Sequence, residues 1–364
     1  MKMKEYRVIG LMSGTSLDGI DAALITTDGE GYIRRDGFVS EAYPDDLRGQ
    51  IRQCLNLPRD KRAEAAAVER ALTEAHARVV ARLMAEKNLA AQDVDLIGFH
   101  GQTIAHAPHE KYTCQLGDGV LLAQLTGIRV VNDFRTADVL AGGQGAPLAP
   151  VYHRALSAPL EKPVAFLNIG GVANVTYIGA DGTIIAFDTG PGNALMDDWM
   201  LQHTGRKYDD GGKTAAAGKA DEEIVSALMS HPFFNAPPPK SLDRNDFVSP
   251  LWQNLSPEAG AATLSAFTVR SIVKALAFLP AAPARWIVSG GGRLNGYLMQ
   301  QLRAHLGVPV NAIEDVGLNG DAIEAEAFAY MAVRSLRGLP ISFPTTTGVP
   351  QPMPGGKLHL PEAA

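Results

Sequence analysis

The sequence predicts an α/β protein built as two lobes on one plan, and three observations carry that reading. Residues 6–27, YRVIGLMSGTSLDGIDAALITT, place two short apolar runs around a small Gly-bearing loop, the pattern of a β-hairpin. About half a chain later residues 164–178, VAFLNIGGVANVTYI, repeat that order of features with different residues. A third Gly-bearing turn, Gly290-Gly291-Gly292, follows the apolar run Trp286-Ile287-Val288 and precedes a helical pattern.

Composition sets the frame. A chain of 364 residues has room for two domains of ordinary size, and an apolar fraction of 46% is that of a globular protein. The net charge of −6, with no Lys/Arg cluster, argues against a nucleic-acid partner. The opening residues, MKMKEYRV, lack the apolar core of a signal peptide. No apolar run approaches the ~20 residues that a bilayer crossing needs. The expectation is a cytoplasmic protein with no membrane partner. Cys54 and Cys114, the only cysteines, read as reduced packing residues.

The first loop, Ser13-Gly14-Thr15-Ser16-Leu17-Asp18-Gly19, fits two descriptions. It is ordinary turn material, and it has the composition of a phosphate cradle. Gly14 and Gly19 allow positive φ and close approach, successive N–H groups make an anion-binding concavity, and Thr15 and Ser16 add hydroxyls.

Residues 30–60 read as irregular and polar, with turn signals at Tyr43-Pro44-Asp45 and Leu57-Pro58. Residues 62–87 lack Gly and Pro, and Val68, Leu72, Ala75, Val79 and Leu83 recur at helical spacing. His76 within this helix reads as a surface or satisfied histidine. Residues 94–99 form a buried strand running into His100-Gly101-Gln102-Thr103, and the carboxyl end of a strand is where ligands sit in an open α/β sheet. With His106 and His109 the region carries three histidines, but no ligand spacing for zinc is complete.

A short strand at 127–132 leads to Asp133, Arg135 and Asp138, then to the Gly-rich loop 141–147. Arg135 suits an anionic ligand through its planar fork, or a surface pair with Asp133 or Asp138. After the second hairpin, a strand at 183–187 ends in Asp188-Thr189-Gly190-Pro191-Gly192-Asn193. Asn193 is the better helix cap, which leaves Asp188 without a structural duty. Gly211-Gly212-Lys213-Thr214 is no P-loop, because Lys207 stands where the motif needs Gly. The loop 236–244 is stiffened by prolines and presents Lys240 and Arg244. Residues 264–278 and 297–306 read as helices. The Gly290–Gly292 turn suits either a flat ligand lying on backbone or tight strand-to-helix packing. Asp321 and Glu324 resemble a capping box at the start of the last helix, and that alone accounts for Glu324. The Pro- and Gly-rich tail from 345 reads as draped over the surface.

Taken in order, GLMSGTSLDGID, FHGQT, NDFR, AGGQGAPL, LNIGG, FDTGPGN, PPPKS and SGGG resemble the anhydro-N-acetylmuramic acid kinase family. That family belongs to the actin-like ATPase superfamily of sugar kinases, actin and heat-shock chaperones. The likeness covers residues 8 to about 335, and rests above all on SGTSLDGID with FDTGPGN.

The resemblance implies two ribonuclease-H-like lobes with mixed sheets, flanked by helices, around a central cleft. The expected division is 1–130, with the tail 340–364 packing back on it, and 131–339. It implies a kinase of bacterial cell-wall recycling that uses ATP and Mg²⁺. Water opens the anhydro bridge of 1,6-anhydro-N-acetylmuramic acid, and the freed O6 takes the γ-phosphoryl group.

By the same resemblance Asp188 is the base on the water, and Glu324 is a second catalytic carboxylate near the sugar. Gly14, Thr15, Ser16, Leu17, Asp18, Gly19, Ile20 and Asp21 hold ATP with Gly170, Gly171, Gly290, Gly291 and Gly292. Asp18 or Asp21 is the candidate Mg²⁺ carboxylate, and no metal ligand is firmly assigned. Gln102 and Thr103 face the sugar; that Arg135 meets its lactyl carboxylate is our own expectation, not one the resemblance supplies. A homodimer stays open. The rival readings are another sugar or acetate kinase, an ATP-independent glycoside hydrolase using Asp188 with Glu324, and a non-enzymatic ATP-binding module that assembles.

Overall fold

A computed structural model describes residues 3–362 except Thr15, residues 243–245 and Val248. Twelve strands are formed among the described residues: β1 (Tyr6–Ser13), β2 (Gly19–Thr27), β3 (Ile33–Ala42), β4 (Leu96–Ala107), β5 (Tyr112–Leu116), β6 (Val130–Asn132), β7 (Val164–Ile169), β8 (Val172–Ile178), β9 (Ile184–Pro191), β10 (Arg285–Ser289), β11 (Val310–Ala312) and β12 (Lys357–His359). The chain divides into two compact units, 1–158 with 321–364, and 159–320.

The first unit holds a seven-stranded sheet in the order β12-β6-β4-β1-β2-β3, with β5 paired to β4. β1, β2 and β3 are antiparallel neighbours, while β4 and β6 run parallel to β1. The second unit holds five strands in the order β11-β10-β7-β8-β9. There β7, β8 and β9 are antiparallel neighbours, while β10 and β11 run parallel to β7. The two cores therefore share one plan: a three-stranded meander extended on the side of its first strand by two parallel strands. Each parallel strand needs a crossover, and helices supply it.

In the first unit the helix Ala66–Glu86 lies against the sheet with Leu72, Val79 and Leu83 buried. His76 on that helix is also buried. Its Nδ1 donates to the Leu72 carbonyl at 2.8 Å, its ring packs on Phe99, and burial lowers its pKa to about 4. The helix Ile323–Leu336 packs against β1, β2 and β4, and eleven of its fourteen residues are buried. Gly10 and Gly98 are cross-strand partners at the centre of the sheet. A Cβ on either would collide with that helix's backbone, at the Ala325 carbonyl for Gly10 and the Phe328 carbonyl for Gly98. Two adjacent missing side chains thus make the flat place where the helix seats.

The domain boundaries differ from the sequence expectation. The first unit runs to 158 rather than 130, and it includes the helix Ile323–Leu336, which the sequence places in the second. Strand pairing explains both shifts. β6 joins β4 in parallel, so the segment after it stays with the first sheet, and the Gly10–Gly98 patch holds the last helix there.

Residues 30–60 are more ordered than expected. β3 and the helix Asp45–Gln53 lie within them. β3 is an edge strand with one buried residue in ten, so its composition reads as polar loop. The tail is stitched in rather than draped. Thr347, Val349 and Ile341 are buried, Thr347 Oγ1 donates to Asp138 at 2.6 Å, and β12 pairs with β6.

Helix Pro257–Ala275 with the turn after it, residues 257–278, is long and apolar enough to cross a membrane by composition alone, contrary to the sequence expectation. It is a core helix of the second unit, with Phe267, Val269 and Ile272 buried.

Gly10→Ala or Gly98→Ala should cost about 3 kcal/mol or more, because overpacking here meets backbone rather than a movable side chain. Gly49 lies in a helix with open space around it, and Gly49→Ala should add ~0.5–1 kcal/mol. Thermal melts of the three variants check the contrast.

Candidate active site

In the first unit β1 and β2 pair from Tyr6↔Thr27 to Met12↔Asp21 and leave residues 14–18 as the loop. Thr15 lies outside the described residues. The loop closes with the Leu17 N–H donating to the Gly14 carbonyl at 3.1 Å. Neither Gly14 nor Gly19 has positive φ; Leu17 does, at 57°, with its side chain buried. A bulky residue held left-handed is strained, so the fold over-determines this turn. Gly19 is glycine because a Cβ would strike the Glu41 carbonyl on β3. Gly14 has open space where its Cβ would be, with only Ser16 Oγ near at 3.5 Å. Ser16 Oγ donates to Asp18 at 2.8 Å, and Ile20 is buried.

β4 extends to Ala107, so His100, Gln102 and Thr103 lie within a strand rather than past its end. Gln102 is fully buried, and its Nε2 donates to the Gly14 carbonyl at 3.0 Å. Ser13 Oγ donates to the Gly101 carbonyl at 2.9 Å, so β4 grips the loop at two points. Thr103 Oγ1 accepts from Gln115 Nε2 at 3.2 Å.

Arg135 pairs with neither Asp133 nor Asp138. Its Nε and Nη2 donate to His100 Nε2 at 3.1 and 3.0 Å, and its Nη1 donates to the Gly145 carbonyl at 2.7 Å. His100 Nδ1 donates to the Gly101 carbonyl at 2.7 Å, which fixes Nε2 as the acceptor. Burial and the adjacent Arg135 cation hold the His100 pKa well below its ordinary value, so it stays neutral. Asp138 is buried and accepts from Gly145 N–H and Thr347 Oγ1, both at 2.6 Å, which anchors the Gly-rich loop. A cavity of about 210 Å³ opens beside His100, lined also by Cys114, Gln115, Asn132, Asp133 and Thr136.

The expected capping box is absent. The last helix is capped at Ala322 with no side-chain cap bond. Glu324 is therefore released from that duty. It has solvent-reachable surface, yet desolvation raises its pKa first, Arg135 opposes this, and Asp21 and Asp18 add to the rise. Burial likewise raises Asp21, with Asp18 and Asp321 adding to the rise. Among the described residues no cluster of three His, Cys, Asp or Glu is arranged to hold a metal ion. Mg²⁺ binding through one or two carboxylates plus phosphates does not require such a cluster.

In the second unit three Gly-bearing segments converge. The Gly192 N–H donates to the Gly171 carbonyl at 3.0 Å and the Asn193 N–H to the Gly170 carbonyl at 2.7 Å. A Cβ at Gly290 or Gly292 would collide with Ile169. Those two glycines are explained by packing, whereas Gly291 would meet only Asn193 Nδ2 at 3.4 Å. Asn193 makes no cap bond; its Nδ2 donates to the Ile169 carbonyl at 3.2 Å, and its buried Oδ1 has no hydrogen-bond partner. Asn193 reads as a cap from sequence, yet its side chain instead ties the start of the helix to the Ile169 carbonyl.

β9 runs through Asp188 to Pro191, so this carboxylate also sits within a strand. Its Oδ2 accepts from the Leu242 N–H at 2.8 Å, and its own N–H donates to the Lys240 carbonyl at 3.1 Å. Burial pushes its pKa up to about 7, against the Leu242 N–H. Near pH 7 such a group is part ionised and can take a proton from water. Leu242 acts through its main chain, which no residue pattern announces.

Two sheets on one strand plan, each flanked by helices, define the class as a duplicated α/β fold. The sequence profile for anhydro-N-acetylmuramic acid kinase matches residues 6–360. The chain is 54% identical to the anhydro-N-acetylmuramic acid kinase of Rhizorhabdus wittichii, covering 99% of this chain and 100% of that one. It is 51% identical to the enzyme of that name from Paramagnetospirillum magneticum, covering 97% and 99%. The chain belongs to the anhydro-N-acetylmuramic acid kinase family. Among solved structures it is similar to component A of Acidaminococcus fermentans (R)-2-hydroxyglutaryl-CoA dehydratase, with a TM-score of 0.49 at 12% identity over 91% of this chain and 99% of that one. It is also similar to Lactobacillus acidophilus xylulose kinase, with a TM-score of 0.47 at 11% identity over 98% and 94%.

Asp188 carries a stability cost with a definite pH signature. Its folded pKa lies above the unfolded value of 3.8, so its favourable contribution is complete below pH 3.8 and is lost as pH rises to about 7. Asp188→Asn should therefore gain stability relative to wild type across that window and level off above it. The gain should be about 2 kcal/mol, because each tenfold change in proton affinity is worth ~1.4 kcal/mol and partial exposure screens some of it. Thermal melts of both proteins from pH 4 to 8 measure it.

Proposed function

We propose that this protein is an ATP-dependent kinase that converts 1,6-anhydro-N-acetylmuramic acid to N-acetylmuramic acid 6-phosphate, opening the anhydro ring with water, in cytoplasmic cell-wall recycling. One observation carries the mechanism: in a chain of this family, Asp188 has a carboxyl held near pH 7 by burial and aimed by the Leu242 N–H.

Asp188 takes a proton from water as the water oxygen bonds to the anomeric carbon. The bond from that carbon to O6 breaks, and O6 bonds to the γ-phosphorus while the bond to the departing ADP breaks. A positioned base is typically worth 10²–10⁴-fold in rate. Residues 14–21 and Gly170, Gly171 and Gly291 bind the nucleotide through backbone. Gly290 and Gly292 shape the turn that carries Gly291. Mg²⁺ supplies charge neutralisation on the phosphates when bound, and Asp18 and Asp21 are the carboxylates that would hold it. Burial raises the Asp21 pKa and Asp18 adds to the rise, and a bound cation would favour the ionised form of Asp21.

Arg135 meets the lactyl carboxylate, with neutral His100 fixing its fork. Gln102 supports the loop from beneath. Glu324, free of capping, acts on the sugar. Loss of ring opening when nucleotide is omitted separates this reading from a glycoside hydrolase. ADP release with the anhydro-sugar but not with glucose, glycerol or acetate separates it from other kinases.

Asp188→Asn should bind both substrates and lose turnover by about 10²-fold or more, and product made in ¹⁸O-water by wild type should carry the label at C1. Unlabelled product or near-normal turnover overturns the base assignment. Gly14→Val should raise the KM for ATP about tenfold while leaving the melting temperature within a few degrees, since its Cβ space is open. Arg135→Ala should raise the KM for the sugar, and an unchanged KM removes it from the lactyl site.

A further inference from the structure

Lys240 follows three consecutive prolines, and the reaction described above gives it no task. Its surroundings are specific. Nζ donates to the Phe233 carbonyl at 3.0 Å and stands 4.3 Å from the Phe278 ring centroid, 4.6 Å from Phe233 and 5.7 Å from Phe187. An ammonium among three aromatic faces is held by ring quadrupoles, and it is costly to dislodge once desolvated. Phe187 is the residue before Asp188 on β9, and Phe278 closes the helical segment that follows Pro257–Ala275.

The main chain of the same segment grips Asp188. The Lys240 carbonyl accepts the Asp188 N–H, and two residues on the Leu242 N–H donates to the Asp188 carboxylate. The segment thus has its side chain fixed in the aromatic cage and its backbone fixed on the carboxylate. Among the described residues, burial and the Leu242 N–H shift the Asp188 titration, and Lys274 is the charged group that acts on Lys240.

We propose that Lys240 is a positioning residue for the reaction: its caged ammonium anchors residues 240–242 so that the Leu242 N–H stays on the Asp188 carboxylate. The inference rests on Asp188 being the base. Burial lowers the Lys240 pKa to about 8, which the ring faces oppose by favouring the cation. A purely packing role would be served as well by an apolar chain of similar length.

Lys240→Met keeps length and apolar fit and removes the ammonium. With the anchor gone, the Leu242 N–H no longer favours the ionised carboxylate, so the acidic limb of the kcat profile should move up by about one pH unit. The kcat near pH 7 should fall ~10-fold while both KM values stay within ~2-fold, the pattern of a lost transition-state interaction. Hydrogen exchange at the Leu242 amide should quicken by ~10-fold or more. Lys240→Arg, which can donate and stack, should restore the limb and the protection. Lys240→Gln carries the same comparison if the Met variant does not fold.

An unmoved limb with unchanged Leu242 protection in the Met or Gln variant overturns the proposal. A moved limb with unchanged protection also overturns it, since that is the mark of a long-range field. Asp188→Asn run alongside keeps the two readings apart. Should that variant retain turnover, the base assignment falls, while exchange at Leu242 still decides whether Lys240 holds the carboxylate in place.

Discussion

The first unit depends on one close approach: the helix Ile323–Leu336 lies directly on the backbone of β1 and β4 at Gly10 and Gly98. No side chain separates helix from sheet there, so the helix cannot shift without losing its seat. Its buried polar groups fix it along its length. Glu326 accepts from the Tyr152 hydroxyl at 2.7 Å, and Arg334 donates to the carbonyls of Gly29 at 2.8 Å and Pro340 at 2.7 Å. The consequence for chemistry lies at the helix start, where Glu324 stands among charges that include Arg135, Asp18 and Asp21.

The two cores share a strand order but use the shared hairpin differently. In the first unit the loop is long, polar and strained at Leu17, and it is braced from below by Gln102 and Ser13. In the second unit the turn is short, and the carbonyls of Gly170 and Gly171 are taken up by the chain at Gly192 and Asn193. One plan thus yields a long loop braced by a neighbouring strand and a short turn tied to the chain that follows β9. Asp188 lies on the strand next to that turn, in a desolvated place where, among the described residues, the Leu242 N–H aims its carboxylate. Such an environment raises a pKa toward the working range of a base.

Much of the site is legible in the residues and some is not. The hairpins, the helix Ala66–Glu86 and Asp188 as a candidate follow from apolar runs and Gly placement. The capping box at Asp321 and Glu324 is a fair inference from spacing, yet the helix begins later and leaves Glu324 for other work. Asn193 has the composition of a cap but not its conformation, because its φ and ψ of −87° and −19° are helical. Arg135 has two acidic neighbours in sequence and binds a histidine 35 residues away. These are contacts of high sequence separation, which local pattern cannot rank.

By itself the sequence determined the α/β class, the duplicated plan and the family, because apolar periodicity and glycine position are local and repeat along the chain. Tertiary structure alone decided which glycines are spacers and which leave room for a ligand, since that depends on what lies opposite each missing Cβ. It also decided the protonation of Asp188 and His100. Burial and a neighbouring N–H or guanidinium set those, and both arrive from distant parts of the chain.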